Sequence, residues 1–380
     1  MKQLLAFCES NREYLVRTIE RLVELESPTL DKAAADRCGE AIARLLADLG
    51  GAVTAVASPG CGSHLRARFG DGGPRLLLLG HYDTVWPVGQ LQRMPLVRQD
   101  GRLHGPGTFD MKGGIAIGLL ALRALAAVEP LSLAPVTCLL TSDEETGSKT
   151  SRHLIEDEAR GCAAVLVLEP ALPGGAVKTS RKGCGEFEIR VYGVAAHAGI
   201  EPEKGANAIL ELAGQVLEVE RLQDPSAGTT LTVTLASGGT RPNVVPDEAR
   251  ATVDARAASA AEAARVSAAV RALAARRPGA RVEVTGGFDR PPLERTPAVA
   301  RLFQIARDVA GEMGDTLTEG ATGGGSDGNF TAALGVPTLD GLGAIGDGAH
   351  AAHEHVVLDA LPRRAALVAA LIRRLQRASL

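Results

Sequence analysis

Apolar residues fall into two rhythms along this chain. One is the short continuous run, at residues 75–80 (RLLLLG), 136–140 and 163–168. Runs of that length without polar alternation predict strands buried on both faces of a parallel sheet. The other rhythm is helical, at residues 13–25, 33–49, 112–128, 148–158, 296–311 and 361–377, with a further helix after Ser326. Strands alternating with helices predict an α/β fold, a mostly parallel sheet sandwiched by helices. Ligands of such sheets gather at the carboxyl ends of the strands.

From about residue 182 the rhythm changes. Strands are predicted at 185–192, 229–235, 249–255 and 281–285, and helices at 205–219 and 260–274. That order, β-α-β-β-α-β, is the ferredoxin-like α+β motif. A chain of 380 residues is longer than one core usually organises. We therefore expect residues 182–290 to be an inserted domain, and residues 1–181 and 291–380 to be two segments of the first.

Composition narrows the choice by exclusion. Hydrophobic residues make up 45%, charged residues 23%, and the formal net charge is -4. The aromatic residues are scattered rather than interleaved with Lys and Arg, which argues against a nucleic-acid partner. No apolar stretch reads as a membrane span, and MKQLLAFCESNREYL breaks into charges too early for a signal peptide, so a cytoplasmic protein is expected. The six cysteines are spread without a C-x-x-C pair, which argues against a disulfide framework and a thiolate zinc site. They read as small core residues.

Candidate chemistry lies at the strand ends. TSDEETGS follows the 136–140 run with Asp143, Glu144 and Glu145 in succession. A solvated turn capped by Ser142 or Asp143 would account for it. Adjacent carboxylates at a buried strand end also repel, and bound cations would offset that repulsion. Other strand ends and loops carry His81 and Asp83 in GHYDT, Asp110 in GPGTFDMKGG, Glu169 in LEP and His350 in GAHAAHEHV. Histidines and carboxylates without thiolate suit zinc, with manganese or cobalt as substitutes. In His81-x-Asp83 the spacing puts both side chains on one side of a strand, so Asp83 can orient the imidazole from behind.

GHYDTVWPVG, GPGTFDMKGG, TSDEETGS, LEP, VAAHAG, GGTRPNVVPDEARATVDAR, TGGGSDGNF and GAHAAHEHV occur in that order across nearly the whole chain. Together they resemble the co-catalytic zinc peptidases, a family of aminoacylases, succinyl-diaminopimelate desuccinylases and glutamate carboxypeptidases. DTVWP, GPG and TGGGSD are most similar to the bacterial folate-cleaving members. The resemblance implies two zinc ions, with Asp110 bridging them, His81 and Glu169 completing one site, and Glu145 and His350 the other. Glu144 would be the general base and Asp83 a catalytic support to His81. His353 is the alternative last ligand; the family spacing of His followed four residues later by Glu selects His350 through Glu354.

The resemblance also makes residues 182–290 a dimerisation or lid domain and the protein a homodimer, with His197 reaching the partner subunit's site to stabilise the oxyanion. Asn243 and Arg256 match positions that contact the substrate carbonyl or carboxylate. Gly324 and Ser326 would line the pocket, and Arg290 is a candidate carboxylate clamp because Arg pairs with carboxylates bidentately. No Gly-Lys-Ser/Thr closes TGGGSD, which weakens a phosphate-loop reading. The expected activity is metal-dependent release of a C-terminal amino acid, glutamate or similar, from an N-acyl or short peptide substrate. Alternatives are an N-acyl amino acid deacylase or dipeptidase of the same mechanism, and a catalytically silent metal- or peptide-binding homologue.

Overall fold

The computed structural model describes residues 1–70, 75–128 and 135–377. The chain packs as two units, one of residues 1–179, 295–321 and 326–380, the other of residues 180–294 with 322–325. The expected insert, 182–290, falls inside the second.

The first unit is built on a six-stranded sheet ordered Ala52–Val56, His64–Phe69, Val136–Thr141, Arg75–His81, Cys162–Val167 and Thr338–Leu339. The three apolar runs form its centre and pair in parallel; the first two strands join antiparallel. The sequence reading assigns neither as a strand; in the second, Arg66 and Arg68 interrupt the apolar pattern. Their guanidiniums are satisfied by the buried carboxylate of Glu158.

Register fixes the site. His81 pairs with Thr141, and Leu79 pairs with Val167. Three strands thus stop level, with His81, the acidic turn after Thr141 and Glu169 along one edge. The helix Gly113–Val128 starts at the same edge, directly after Asp110. It can approach because Gly114 has no side chain: a Cβ there would lie 2.0 Å from the carbonyl oxygen of Leu168. The stretch Thr108–Val128 is in fact long and apolar enough to span a membrane, contrary to expectation, and 78% of its most apolar window is buried inside the protein. It shares a core with the closing helix Leu361–Arg377, which is buried along most of its length. Buried Arg364 of that helix donates to the carbonyls of Gly175, Gly341 and Gly343.

One expected helix begins late. Residues 148–151 turn around Asp143 instead of extending the helix, which spans Arg152–Ala159. Other helix starts follow side-chain capping. Asp31 accepts the N–H of Ala34, and Thr296, ahead of Pro297, accepts that of Val299.

The second unit is a four-stranded antiparallel sheet ordered Thr230–Gly238, Glu248–Ala257, Gly183–Tyr192 and Arg281–Arg290. Read in chain order these are strands 2-3-1-4, the ferredoxin-like arrangement. Phe187, Ile189 and Val191 alternate inward along the central strand. They pack with Val253 and with Leu212, Val266 and Val270 of the helices Ala208–Arg221 and Ala260–Arg271. The last strand runs five residues beyond its expected end, to Arg290.

Candidate metal centre

Asp110 stands between two histidines. Its Oδ1 lies 3.3 Å from Nε2 of His81 and its Oδ2 3.3 Å from Nε2 of His350. Each histidine has a further carboxylate: Glu169 Oε1 at 3.3 Å from His81 Nε2, and Glu145 Oε2 at 3.1 Å from His350 Nε2. Two donor groups sharing Asp110 result, His81–Asp110–Glu169 and Asp110–Glu145–His350, each with its atoms within 4.8 Å of one another. His353 lies outside both; its ring is exposed and 3.8 Å from Asp347.

The donor set fits divalent cations on two counts. His81 Nε2, Asp110 Oδ1 and Glu145 Oε1 are buried with no hydrogen-bond partner among the described residues, a costly arrangement unless a ligand takes it up. The N···O separations also match the edge of a tetrahedron, about 3.3 Å for metal–ligand bonds of about 2.0–2.1 Å.

Electrostatics tell the same story. Burial opposes a charge on His81, yet Asp110, Asp83 and Glu169 push its pKa well above the ordinary value. Asp110 and then Glu145 push His350 up to about 10. Burial opposes ionisation of Asp110, but His350 and His81 hold its carboxyl far below the usual range. Burial raises Glu145. Carboxylates gathered in this way favour positive charge between them, which a bound cation would supply.

Around these donors sits a supporting layer. Nδ1 of His81 faces the main-chain carbonyl of Asp83 at 3.1 Å, closer than the Asp83 carboxylate at 3.4 Å, so the carbonyl is the nearer orienting group. The Asp83 carboxylate instead accepts the hydroxyl of Thr29 at 2.6 Å and the N–H groups of Glu144 and Glu145 at 3.3 Å each. Glu144, half-buried, therefore stands beside Glu145 on a turn anchored to the His81 segment.

Glu354, which the sequence reading used only to select His350, is fully buried. Its carboxylate accepts the N–H of Gly107, Phe109 and Asp110 and the indole N–H of Trp86, at 2.8 to 3.0 Å. Lys112, also buried, donates to the carbonyl of Leu22 at 2.8 Å near the end of the helix Arg12–Glu24. The four-residue spacing from His350 was the one sequence signal for Glu354; Trp86 stood in the DTVWP motif with no role assigned to it, and Thr29 carried no signal.

Ser326 does not line a pocket. It is fully buried, donates to Asp340 Oδ2 at 2.6 Å and accepts the N–H of Gly328. The remaining expected substrate contacts lie on the second unit. His197 and Asn243 are exposed on adjoining segments, joined by the N–H of Ala198 donating to the Asn243 carbonyl. Nδ1 of His197 accepts the N–H of Gly199 at 3.1 Å. Arg256 and Arg290 register with Cys184 on the two strands flanking it; Arg256 pairs with Asp254 at 2.7 Å, and Arg290 is buried. Gly324 is exposed, its carbonyl accepting from Arg181 at 3.1 Å.

An α/β sheet edge carrying paired His–carboxylate groups around a shared aspartate defines a metal-dependent hydrolase. The chain belongs to peptidase family M20/M25/M40, whose family model matches residues 77–374. It is 33% identical over 366 residues to Carboxypeptidase G2 of Pseudomonas sp. (strain RS-16), covering 94% of this chain and 88% of that protein. Succinyl-diaminopimelate desuccinylase of Xanthomonas euvesicatoria pv. vesicatoria (strain 85-10) is 30% identical over 343 residues, covering 82% of this chain and 86% of that one. Among solved structures, aminopeptidase PepT from Bacillus cereus superposes with a TM-score of 0.80 at 24% identity, over 96% of this chain and 99% of the other. The YXEP protein of Bacillus subtilis, described as a dinuclear metal binding peptidase, gives a TM-score of 0.69 at 16% identity, over 96% and 98%.

Proposed function

We propose that this metal-dependent amidohydrolase releases a C-terminal glutamate, or a similar amino acid, from N-acyl or short peptidyl substrates, using two zinc ions. The observation that carries the two-metal reading is Asp110 placed between His81 and His350, each with its own second carboxylate. Similarity to Carboxypeptidase G2 supports release of a C-terminal residue, and the resemblance of DTVWP, GPG and TGGGSD to the folate-cleaving members supports glutamate as that residue.

His81, Asp110 and Glu169 would hold one ion, and Asp110, Glu145 and His350 the other. Such ions supply Lewis acidity, polarising the amide carbonyl and making water acidic enough to deprotonate near neutral pH. Glu144 takes the proton from the attacking water and delivers it to the leaving nitrogen as the C–N bond breaks. Asp83 holds Glu144 and Glu145 by their amides, so base and ligand keep a fixed spacing. Because Nδ1 of His197 accepts a hydrogen bond from Gly199, Nε2 is the ring nitrogen left to donate to a developing oxyanion. Arg256 and Arg290 are the groups we assign to the substrate carboxylate, with the backbone at Gly324 as a further contact; Asn243, at the other end of the sheet beside His197, is assigned to the substrate carbonyl.

Exposed Ile209, Leu210 and Leu217 on one helix and Leu235 on an edge strand support a homodimer formed through the second unit. Six free cysteines, five of them buried, support a cytoplasmic location. A deacylase specific for succinylated substrates is the second reading, favoured by the desuccinylase at 30% identity.

The test is metal content and turnover of an N-acyl glutamate by wild type and Glu144→Gln. Retained metal with lost turnover in the variant supports the mechanism; faster turnover of a succinylated amine than of the acyl glutamate selects the second reading.

A further inference from the structure

A second polar cluster lies outside the ligand set. His64, Cys61, Ser142 and Asp143 are all at most 3% exposed. One ligand atom from each of Cys61, His64 and Asp143 lies within 4.8 Å of the others, a group that could itself suggest a cation. A hydroxyl fills this space instead. Thr150 Oγ1 lies 3.0 Å from His64 Nε2, 2.8 Å from Asp143 Oδ2 and 3.4 Å from Cys61 Sγ.

The proton order follows from the partners. Asp143 as a carboxylate only accepts, so the Thr150 hydroxyl donates to it. His64 Nε2 must then donate to Thr150 Oγ1, leaving Nδ1 as an acceptor. Nδ1 then accepts the N–H of Ser142 at 3.3 Å, with the Ser142 hydroxyl 3.1 Å away. Burial lowers the His64 pKa, in agreement with a neutral ring.

Asp143 gathers the turn. Its Oδ2 accepts the N–H of Thr150 at 2.7 Å and of Ser151 at 3.3 Å, and its carbonyl accepts the N–H of Ser148 at 2.8 Å. Ser148 sits at φ 56°, a left-handed conformation that a serine adopts only when held. Between these anchors lie Glu144 and Glu145.

We propose that His64, acting through Thr150 and Asp143, is a positioning residue that sets the geometry of the turn bearing Glu144. The role rests on the reading of Glu144 as the base. Misplacing a catalytic group by about 1 Å can cost on the order of 100-fold in rate, so the brace reads out in kcat.

Thr150→Val removes the hydroxyl while keeping the shape, and Thr150→Ser restores it. With Thr150→Val, we expect kcat to fall on the order of 10- to 100-fold, with KM and metal content unchanged. Amide hydrogen exchange at residues 146–151 should quicken. Thr150→Ser should recover both properties, and His64→Gln, whose amide can still donate, should retain more activity than His64→Leu.

Wild-type exchange at residues 146–151 in Thr150→Val overturns the proposal whatever the activity. So does a fall in kcat that merely tracks metal loss, or a third bound metal that disappears in His64→Gln. Glu144→Gln serves as the control: if it turned over normally while Thr150→Val still loosened the turn and slowed turnover, the base assignment would fail and the brace would stand.

Discussion

The carboxylate of Glu354 accepts the backbone N–H of Asp110 at 3.0 Å, so the shared residue of the metal centre is held by its main chain as well as by the imidazoles. The same carboxylate reaches Gly107, Phe109 and Trp86, tying the Asp110 loop to the segment after Asp83 and to the loop of His350. Glu354→Gln puts an amide N–H against donors that need an acceptor. Metal affinity should fall about 10- to 100-fold, as on removal of other outer partners of ligands. Competition with a chelator measures it, and excess metal should restore most of the activity.

Metal stoichiometry separates the roles of the donors. Asp110→Asn weakens both donor groups and should leave less than one ion per chain. His350→Ala leaves His81, Asp110 and Glu169 together and should retain one. His353→Ala should retain two, because its ring lies outside both groups. Elemental analysis of the purified variants decides this, and one ion in His353→Ala with two in His350→Ala would reverse the ligand assignment.

Protons and metal compete for the same atoms. His350 is held up to about 10 in the metal-free site, so at pH 7 it carries a proton that ligation must displace. Loading should release protons, measurable by calorimetry in buffers of different ionisation enthalpy. The sign for stability follows from a raised histidine pKa. Its contribution is complete below the unfolded value, near 6.5, and is lost as pH rises through about 10. Chelated protein should therefore show a melting temperature that falls over this interval more steeply than that of the loaded protein.

Ser326→Ala should act on stability rather than on substrate. The hydroxyl it removes serves the buried Asp340 and the N–H of Gly328, so a loss of about 1–3 kcal/mol is expected. Denaturant unfolding checks this, and KM should not move. Arg256→Met should do the reverse, raising KM about tenfold or more with little loss of kcat if the guanidinium binds substrate equally in ground and transition states.

The parallel core was legible because its strands are uninterrupted apolar runs, and their register places His81, Glu145 and Glu169 where strand-end reasoning looks for ligands. Asp110, on the turn that leads into the helix Gly113–Val128, needed the family resemblance before its bridging role was visible. What escaped were features made by distant partners. Ser326 reads as a loop residue until Asp340, fourteen positions on, takes its hydroxyl. The helix at Arg152 starts late because the Asp143 side chain binds the amides of Thr150 and Ser151. Local periodicity contains neither contact. The strand His64–Phe69 was missed for a related reason: Glu158, which makes its arginines compatible with a sheet, lies some ninety residues away.

The missing side chain at Gly114 lets two stretches of main chain touch where other folds would interpose side chains. Asp110 and Glu169 each lie within a few residues of that contact. Their spacing is thus inherited from covalent backbone geometry, which varies little, rather than from the packing of the core, which drifts as sequences diverge. Substitutions among the surrounding leucines can accumulate with little effect on the distance between donors, whereas one methyl group at residue 114 would push Asp110 and Glu169 apart. The same bare approach recurs at Gly343, where a Cβ would lie 2.1 Å from the Leu168 carbonyl oxygen, so the centre depends on two positions at which any side chain at all is too much.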